Sequence, residues 1–355
     1  MKAFFYVQHL LGIGHLKRAA TLARALARAG FEVTLASGGT PVNGIPVLQL
    51  PPVSSPDFKQ LLDEHGRPVD DAWKARRRAA LLSAFESSKA DVLLTELFPF
   101  GRRQMRFELL PLLEAAKDRL VVCSVRDLLQ PRPEREAQAV ELIERYFDYV
   151  LVHGDPGIAQ LHRTFGLAPR IEGKLRYTGY VVDEAKPAGD AGRDEVIVSA
   201  GGGAVGKQLL ETAIAARALT RLGDRTWRVI TGMHGADVKA GNVVVERFRN
   251  DFTVLLRNCV LSVSQGGYNT VLETLQARAR AVLVPYAAGG ELEQTLRAQL
   301  LAQRGLVEMV EEKMLTPQAL AAAIDRAAAR PRPPEGAVDL EGARRSAELL
   351  AGWVK

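Results

Sequence analysis

The chain has 355 residues, with 47 Lys and Arg against 41 Asp and Glu for a formal net charge of +6, and it is 47% hydrophobic and 25% charged. That length suggests two domains at about 150 residues each, and the composition excludes a disordered, collagen-like or disulfide-scaffold chain. The isoelectric point near 9.4 suits an anionic ligand, but an excess of six charges over the whole chain does not point to nucleic acid.

Short apolar runs alternate with longer amphipathic segments, the pattern of βαβ units that build a parallel sheet. Strands are expected at 3–7, 32–36, 47–50, 91–95, 120–124 and 149–153, with helices at 16–28 and 135–147. The second half repeats the plan, with strands at 195–200, 227–231, 242–246, 260–264 and 281–285. Between the halves, 183–194 holds Pro, Gly and charges without periodicity and reads as a linker. The expected division is an N-terminal Rossmann-like domain at 1–183, a linker at 184–194, a C-terminal Rossmann-like domain at 195–330, and a Pro-rich crossover with a last helix at 331–355.

The two cysteines, Cys123 and Cys259, lie in apolar runs and read as core residues of a chain in a reducing cytosol. No apolar stretch reaches the roughly 20 residues that span a bilayer, and the N-terminus lacks a leader pattern. A cytoplasmic location is expected, with peripheral contact at an anionic membrane face as a secondary expectation.

Three glycine loops follow expected strands. The first, His9 to Arg18, contains Gly12, Gly14 and His15 before a helix. Its glycines allow close backbone approach, and an imidazole above the strand ends is placed for a general base or for a plain helix-cap role. Lys17 and Arg18 next to it read as phosphate or acceptor contacts, or as solvent-facing residues. The second loop, Ser199 to Gln208, carries Gly201, Gly202, Gly203 and Gly206. A P-loop needs Ser or Thr after its lysine to reach Mg²⁺, and Gln208 stands there. The loop therefore reads as a phosphate cradle or as close packing. The third loop joins Ser264 and Gln265 to Gly266, Gly267, Tyr268, Asn269, Thr270 and, one turn on, Glu273. Helix amides there suit a diphosphate, and Glu273 could accept hydrogen bonds from both ribose hydroxyls or merely favour the helix dipole. Glu293 and Gln294 open a further helix and suit hydroxyl-rich ligands. Glu96, at the end of the fourth strand, reads as a second candidate that orients acceptor or His15, or as a structural carboxylate. The run Arg76, Arg77, Arg78 reads as a solvated helix face. His65, His153 and His162 show no metal-ligand spacing, and no DxD-like acidic pair is present.

Taken in order, GIGH after the first strand, a glycine loop opening the second half, SQGGYNTVLE and ELEQTLRA resemble the GT-B nucleotide-sugar glycosyltransferases of the MurG-like type. The resemblance covers nearly the whole chain and is nearest to uncharacterised bacterial glycosyltransferases, through TELFPFGR at 95–102, HGDP at 153–156 and RYTGY at 176–180. It implies two Rossmann-like domains with parallel sheets facing across a cleft, a C-terminal helix returning to the N-terminal domain, donor binding in the C-terminal domain and acceptor binding in the N-terminal one. By this resemblance His15 is the catalytic base. Gly14, Gly202, Gly203, Gly266, Gly267, Tyr268, Asn269 and Thr270 surround the diphosphate, Phe248 borders the base, Glu273 holds the ribose, and Glu293 with Gln294 reads the sugar. It implies an inverting transfer from a nucleotide diphosphate sugar, UDP-linked by preference, to a hydroxyl-bearing acceptor, with no metal and no cofactor. Arg297 stands where the pattern has asparagine, so MurG's own acceptor and sugar do not carry over. The segment Gly12 to Arg18 is also similar to the GxGHxxR start of PseG-type nucleotide-sugar hydrolases, and a non-catalytic nucleotide-sugar binding protein is a third reading. The acceptor-side surface expected from Phe98 to Arg102 and from 74–78 favours the transferase.

Overall fold

The computed structural model describes every residue except 11, 57–58, 186–187, 201–205, 233–237, 288–290 and 355. It divides into two compact units, Met1–Val181 with Asp339–Lys355, and Val182–Val338. Each unit is built on a seven-stranded sheet.

The first sheet contains β1 (Lys2–Val7), β2 (Glu32–Ser37), β3 (Leu48–Gln49), β4 (Val92–Glu96), β5 (Leu120–Arg126), β6 (Tyr149–His153) and β7 (Leu175–Tyr177), all parallel, in the order β3-β2-β1-β4-β5-β6-β7. Ala3, Phe4, Phe5, Tyr6 and Val7 are all buried, because helices cover both faces of a doubly wound sheet and leave no polar side to alternate with. The order reverses between β1 and β4. Ligands of open α/β sheets bind beyond the strand ends at such a switch point. The helices α1 (Gly14–Arg28), α2 (Asp71–Ser88), α3 (Arg106–Ala115) and α4 (Pro133–Tyr146) complete the layers.

In the second unit β8 (Val196–Ser199), β9 (Trp227–Ile230), β10 (Val238–Ala240), β11 (Val243–Glu246), β12 (Leu261–Ser264), β13 (Ala281–Leu283) and β14 (Glu308–Met309) run in the order β10-β11-β9-β8-β12-β13-β14. Pairing is parallel except at β10 with β11. Its switch point lies between β8 and β12. Helices α5 (Lys207–Ala216), α6 (Phe252–Asn258), α7 (Tyr268–Gln276), α8 (Glu293–Gln303) and α9 (Pro317–Ala329) pack around it. The last helix, α10 (Gly342–Trp353), belongs to the first unit, where Ala347 and Leu350 join the core of β1 and α1 and Trp353 stacks on Tyr149 at 3.9 Å.

Both cysteines are buried and free. The arginine run departs from the expected solvated face. Arg77 is fully buried on α2, with Nε 2.7 Å from Glu108 Oε2 and Nη2 2.9 Å from Oε1, while Nη1 donates to the carbonyls of Gly38 at 2.8 Å and Pro51 at 2.6 Å. A buried guanidinium needs such a full set of acceptors. A Cβ at Gly38 would sit 1.9 Å from Arg77 Nη2, so glycine is required there by packing. Arg76 and Arg78 are exposed as expected.

Candidate active site

The loop after β1 and the end of β4 bring His15 and Glu96 together at the first switch point, 81 positions apart in sequence. His15 is the second residue of α1, whose N-cap Ile13 supplies no side-chain cap. Its Nδ1 lies 2.9 Å from Glu96 Oε1. Glu96 is fully buried, and Oε1 also accepts from Arg18. Burial alone would raise the Glu96 pKa, but Arg18, the His15 hydrogen bond and charge, and Ser124 overcome it and hold the carboxyl well below the usual range. An ionised carboxylate can only accept, so Nδ1 carries the His15 proton and Nε2 presents a lone pair. Among the described residues Nε2 has no hydrogen-bond partner. The His15 side chain is 17% exposed against 0% for Glu96, so the imidazole is the end of the pair that meets solvent. Burial first, then the charge of Arg102, lowers the His15 pKa to about 3, against the pull of Glu96. The imidazole is therefore neutral at physiological pH, with the Nε2 lone pair unprotonated.

Behind Glu96 the buried polar residues continue in a chain whose His153 and Thr178 fall in the HGDP and RYTGY segments, although neither was expected at the site. Ser124 at the end of β5 donates to Glu96 Oε2 at 2.7 Å, and its oxygen lies 2.9 Å from His153 Nε2 at the end of β6. His153 Nδ1 is 2.9 Å from Thr178 Oγ1, just past β7. Burial lowers the His153 pKa to about 3, so the ring is neutral. Proton directions then follow from each group's capacity. Ser124 gives its one proton to Glu96 and takes one from His153 Nε2, which leaves His153 Nδ1 to accept from the Thr178 hydroxyl, whose oxygen also lies 3.0 Å from the Gly179 carbonyl. The parallel register makes this row, since Glu96 pairs with Ser124 and β6 follows β5 with Arg126 opposite His153. Strand-end spacing in a parallel sheet is the signal that would have found it. Arg18, expected at phosphate or in solvent, is buried on Glu96 instead, while Lys17 is exposed. Gly12 borders open space, where a Cβ would meet nothing within 4 Å, and Gly14 is the first residue of α1.

In the second unit, Gly202 and Gly203 lie outside the described residues. Gly206, which follows them and caps α5, has φ 148°, and a Cβ there would come 2.3 Å from the Ala200 Cβ, so at that position glycine serves close packing. After β12, Gly266 is tight, 3.2 Å from Pro285 for an added Cβ, whereas Gly267 faces open space. Gly267 is the N-cap of α7 and offers no side chain to its amides, which leaves the helix N-terminus at the switch point available to an anion. Asn269, Thr270 and Glu273 are half-buried along α7, but Tyr268 is buried under the Arg297 guanidinium, 5.0 Å from its ring. Phe248 follows β11 with 69% exposure. Arg249 beside it bridges Glu246 at 3.3 Å and Asp251 at 2.7 Å, which fixes the loop that presents the ring.

Glu293 and Gln294 are turned into the protein. Glu293 is buried and paired with Arg297 at 2.9 Å, one turn along α8. Gln294 Oε1 accepts from the Tyr286 amide at 3.2 Å. The arginine in place of the expected asparagine thus takes up the glutamate that the resemblance assigns to the sugar. Among the described residues, no group of three or more His, Cys, Asp or Glu is placed to hold a metal ion, and no helix is long and apolar enough to cross a membrane.

Two Rossmann-like units on parallel sheets define the GT-B architecture, and solved structures agree over the full length. The glycotransferase of kitacinnamycin superposes with a TM-score of 0.68 at 18% identity, covering 100% of this chain and 99% of that one. MurG of Acinetobacter baumannii gives 0.61 at 17%, covering 99% and 100%. Residues 225–346 match the glycosyltransferase family 28 C-terminal domain. The UDP-N-acetylglucosamine--N-acetylmuramyl-(pentapeptide) pyrophosphoryl-undecaprenol N-acetylglucosamine transferase of Prochlorococcus marinus strain MIT 9312 is 25% identical over 85 residues, 24% of this chain and 23% of the relative. An uncharacterised glycosyltransferase of Methanopyrus kandleri is 28% identical over 157 residues, 44% of each chain. The chain thus matches 23% and 44% of the length of these two relatives. The fold is that of the GT-B glycosyltransferases, and the match to the family 28 C-terminal domain falls mostly in the second unit.

Proposed function

We propose that the chain moves a sugar from a nucleotide diphosphate sugar to an acceptor hydroxyl, inverting the anomeric carbon without a divalent metal. The observation that carries the reading is the neutral imidazole of His15, held through Nδ1 on buried Glu96 with its Nε2 lone pair presented at a switch point. Nε2 takes the hydroxyl proton as the oxygen attacks, and the charge of Glu96 stabilises the imidazolium that forms. The second unit takes the donor. The uncapped amides of α7 and the Gly267 opening receive the diphosphate and stabilise the charge that gathers on it, Glu273 holds the ribose, and Phe248 offers a ring to the base. A UDP-linked donor is drawn from the relatives, whose name carries UDP-N-acetylglucosamine. The buried Glu293–Arg297 pair supports a sugar other than theirs. A cytoplasmic protein, peripheral at most to an anionic membrane face, fits this reading.

Incubation with a panel of nucleotide sugars, with and without hydroxyl acceptors, tests it. Transfer releases nucleoside diphosphate in an acceptor-dependent way. A hydrolase frees sugar without acceptor, a binding protein does neither, and either result would overturn the proposal.

A further inference from the structure

The buried row behind His15 has a far end, and that end rests on the C-terminal return. Residues 178–181 follow β7 and lie against 339–345, the segment that opens α10. The Tyr180 amide donates to the Asp339 carbonyl at 2.7 Å, the Gly342 amide donates to the Tyr180 carbonyl at 3.0 Å, and Val181 bridges Glu341 antiparallel. Arg345 Nη1 donates to the Thr178 carbonyl at 2.9 Å and also pairs with Asp339. Two glycines make the fit. Gly179 has φ 85°, and a Cβ there would meet Asp339 Oδ1 at 2.4 Å. A Cβ on Gly342 would meet the Gly179 oxygen at 2.3 Å, so a side chain at 342 would press on that carbonyl.

The Gly179 carbonyl is a rival for the one proton of Thr178. Thr178 is fully buried, and its hydroxyl oxygen lies 2.9 Å from His153 Nδ1, 3.0 Å from the Gly179 oxygen and 3.4 Å from the Val152 oxygen. A hydroxyl donates once, and the choice passes down the row. With the Thr178 proton on Nδ1, the His153 ring carries its own on Nε2 and gives it to Ser124, which donates to Glu96. With the Thr178 proton on a backbone carbonyl, its oxygen can only accept. The ring then carries its proton on Nδ1, and Nε2 draws the Ser124 proton away from Glu96. Both settings hold the same three protons. The first ends on a carboxylate, and a bond to an ionised group is about twice as strong as a neutral one. It is the native setting for as long as the turn keeps the Thr178 hydroxyl on Nδ1.

We propose that the C-terminal return positions the base: by clamping the turn at Thr178 it holds the row in the first setting, with Ser124 donating to Glu96 and Glu96 turned on His15. Thr178 and Gly342 are then positioning residues that act through Glu96. The effect on turnover rests on the transfer reading above, whereas the setting of the row does not.

NMR of the full chain labelled with ¹⁵N-histidine reports which imidazole nitrogen carries the proton, and release of nucleoside diphosphate reports turnover. In the wild-type chain His153 should carry its proton on Nε2 and His15 on Nδ1. Thr178→Val keeps the shape and removes the hydroxyl, so the Nε2–H form of His153 should fall. In the same variant kcat should drop about tenfold, the lower end for losing a hydrogen bond to a charged group, with KM for the nucleotide sugar unmoved. Thr178→Ser should restore both. Gly342→Ala should shift His153 in the same direction, and Arg345→Ala, at a half-buried side chain that holds the Thr178 carbonyl, replaces it if that variant does not fold. Trp353→Ala removes the stack of α10 on Tyr149 and is the control. It should lower the melting temperature and leave the tautomer and the turnover per folded molecule unchanged. A wild-type His153 with its proton on Nδ1, or a tautomer indifferent to Thr178→Val, would overturn the proposal. So would a shifted tautomer with undiminished kcat, or equal shifts in Gly342→Ala and Trp353→Ala, which would reduce the return to a stabilising helix. In a chain that moves no sugar the tautomers still decide the setting of the row, and only the transfer reading falls.

Discussion

Replacing Glu96 by glutamine removes one charge from the row behind His15 and keeps nearly its shape. The amide oxygen can stand where Oε1 accepts from His15 and Arg18, and the amide nitrogen can donate to Ser124, whose hydroxyl proton then turns to His153 Nε2 as that ring changes tautomer and donates from Nδ1 to Thr178. His15 keeps its tautomer, so the substitution isolates the charge. Two costs follow. The Arg18 side chain is 3% exposed and loses its counter-charge. Breaking a buried pair in this way costs about 3–5 kcal/mol, and with the hydrogen bond retained the lower end is expected, a fall in melting temperature of about 6–12 °C for a unit of this size. The second cost is catalytic. A hydrogen bond to a charged group is worth about 1.5–3 kcal/mol, so turnover per folded molecule should fall roughly 10- to 150-fold as the imidazolium loses its partner. Affinity for the nucleotide sugar should be unchanged, because that site lies in the other unit. Release of nucleoside diphosphate, measured with the melting curve on the same preparation, gives both numbers. The decisive comparison is the double variant. If Glu96 acts through His15, Glu96→Gln costs no further turnover once His15→Ala is present. Additive losses would refute the coupled base.

Three further outcomes are expected. His15 and His153 each have a native pKa near 3 against 6.5 in a free chain. The unfolded state therefore takes up protons that the native state refuses, and the stability present above pH 6.5 is lost as pH falls toward 3. Each histidine should cost about 2 kcal/mol between pH 6.5 and 5. Urea midpoints should fall less steeply over that range in His153→Gln, and equal slopes would count against a buried neutral ring. Glu273→Ala should weaken nucleoside diphosphate binding by about 1.5–3 kcal/mol by calorimetry, and unchanged affinity in the folded variant would take Glu273 out of the site. Excess EDTA should leave turnover intact, whereas a loss restored by Mg²⁺ or Mn²⁺ would refute transfer without a metal.

Elements with a strong local period were legible from the sequence, and those that depend on distant partners were not. The buried strands β1, β4, β5 and β12 stand out because both faces are apolar. The short strands β7, β10 and β14, of two or three residues, carry no such run and exist only as additions to a sheet edge. The same holds at the site. His15 follows a glycine loop and is visible at once, and Glu96 ends a strand. The rest of the row is assembled by the register of three parallel strands across gaps of 25 to 29 residues, which no local motif encodes. Charge was the least legible property. Arg77, Arg18 and Arg297 lie in stretches that read as solvent-facing or ligand-facing, yet each is buried on a glutamate. An arginine's place depends on whether a distant carboxylate waits for it, and local sequence does not report that.

The return of α10 to the first unit gives this chain an unusual order of assembly during synthesis. Residues 1–181 emerge from the ribosome first, but the flank of β1 and α1 that Ala347 and Leu350 cover, and the face of Tyr149 on which Trp353 stacks, stay bare until the second unit has been translated. The usual N-terminal-first sequence is thereby inverted for the final step. The second unit, contiguous in sequence, can close on its own, while the earlier half waits with apolar surface uncovered. A nascent chain stalled before α10 is the species on which a chaperone would act.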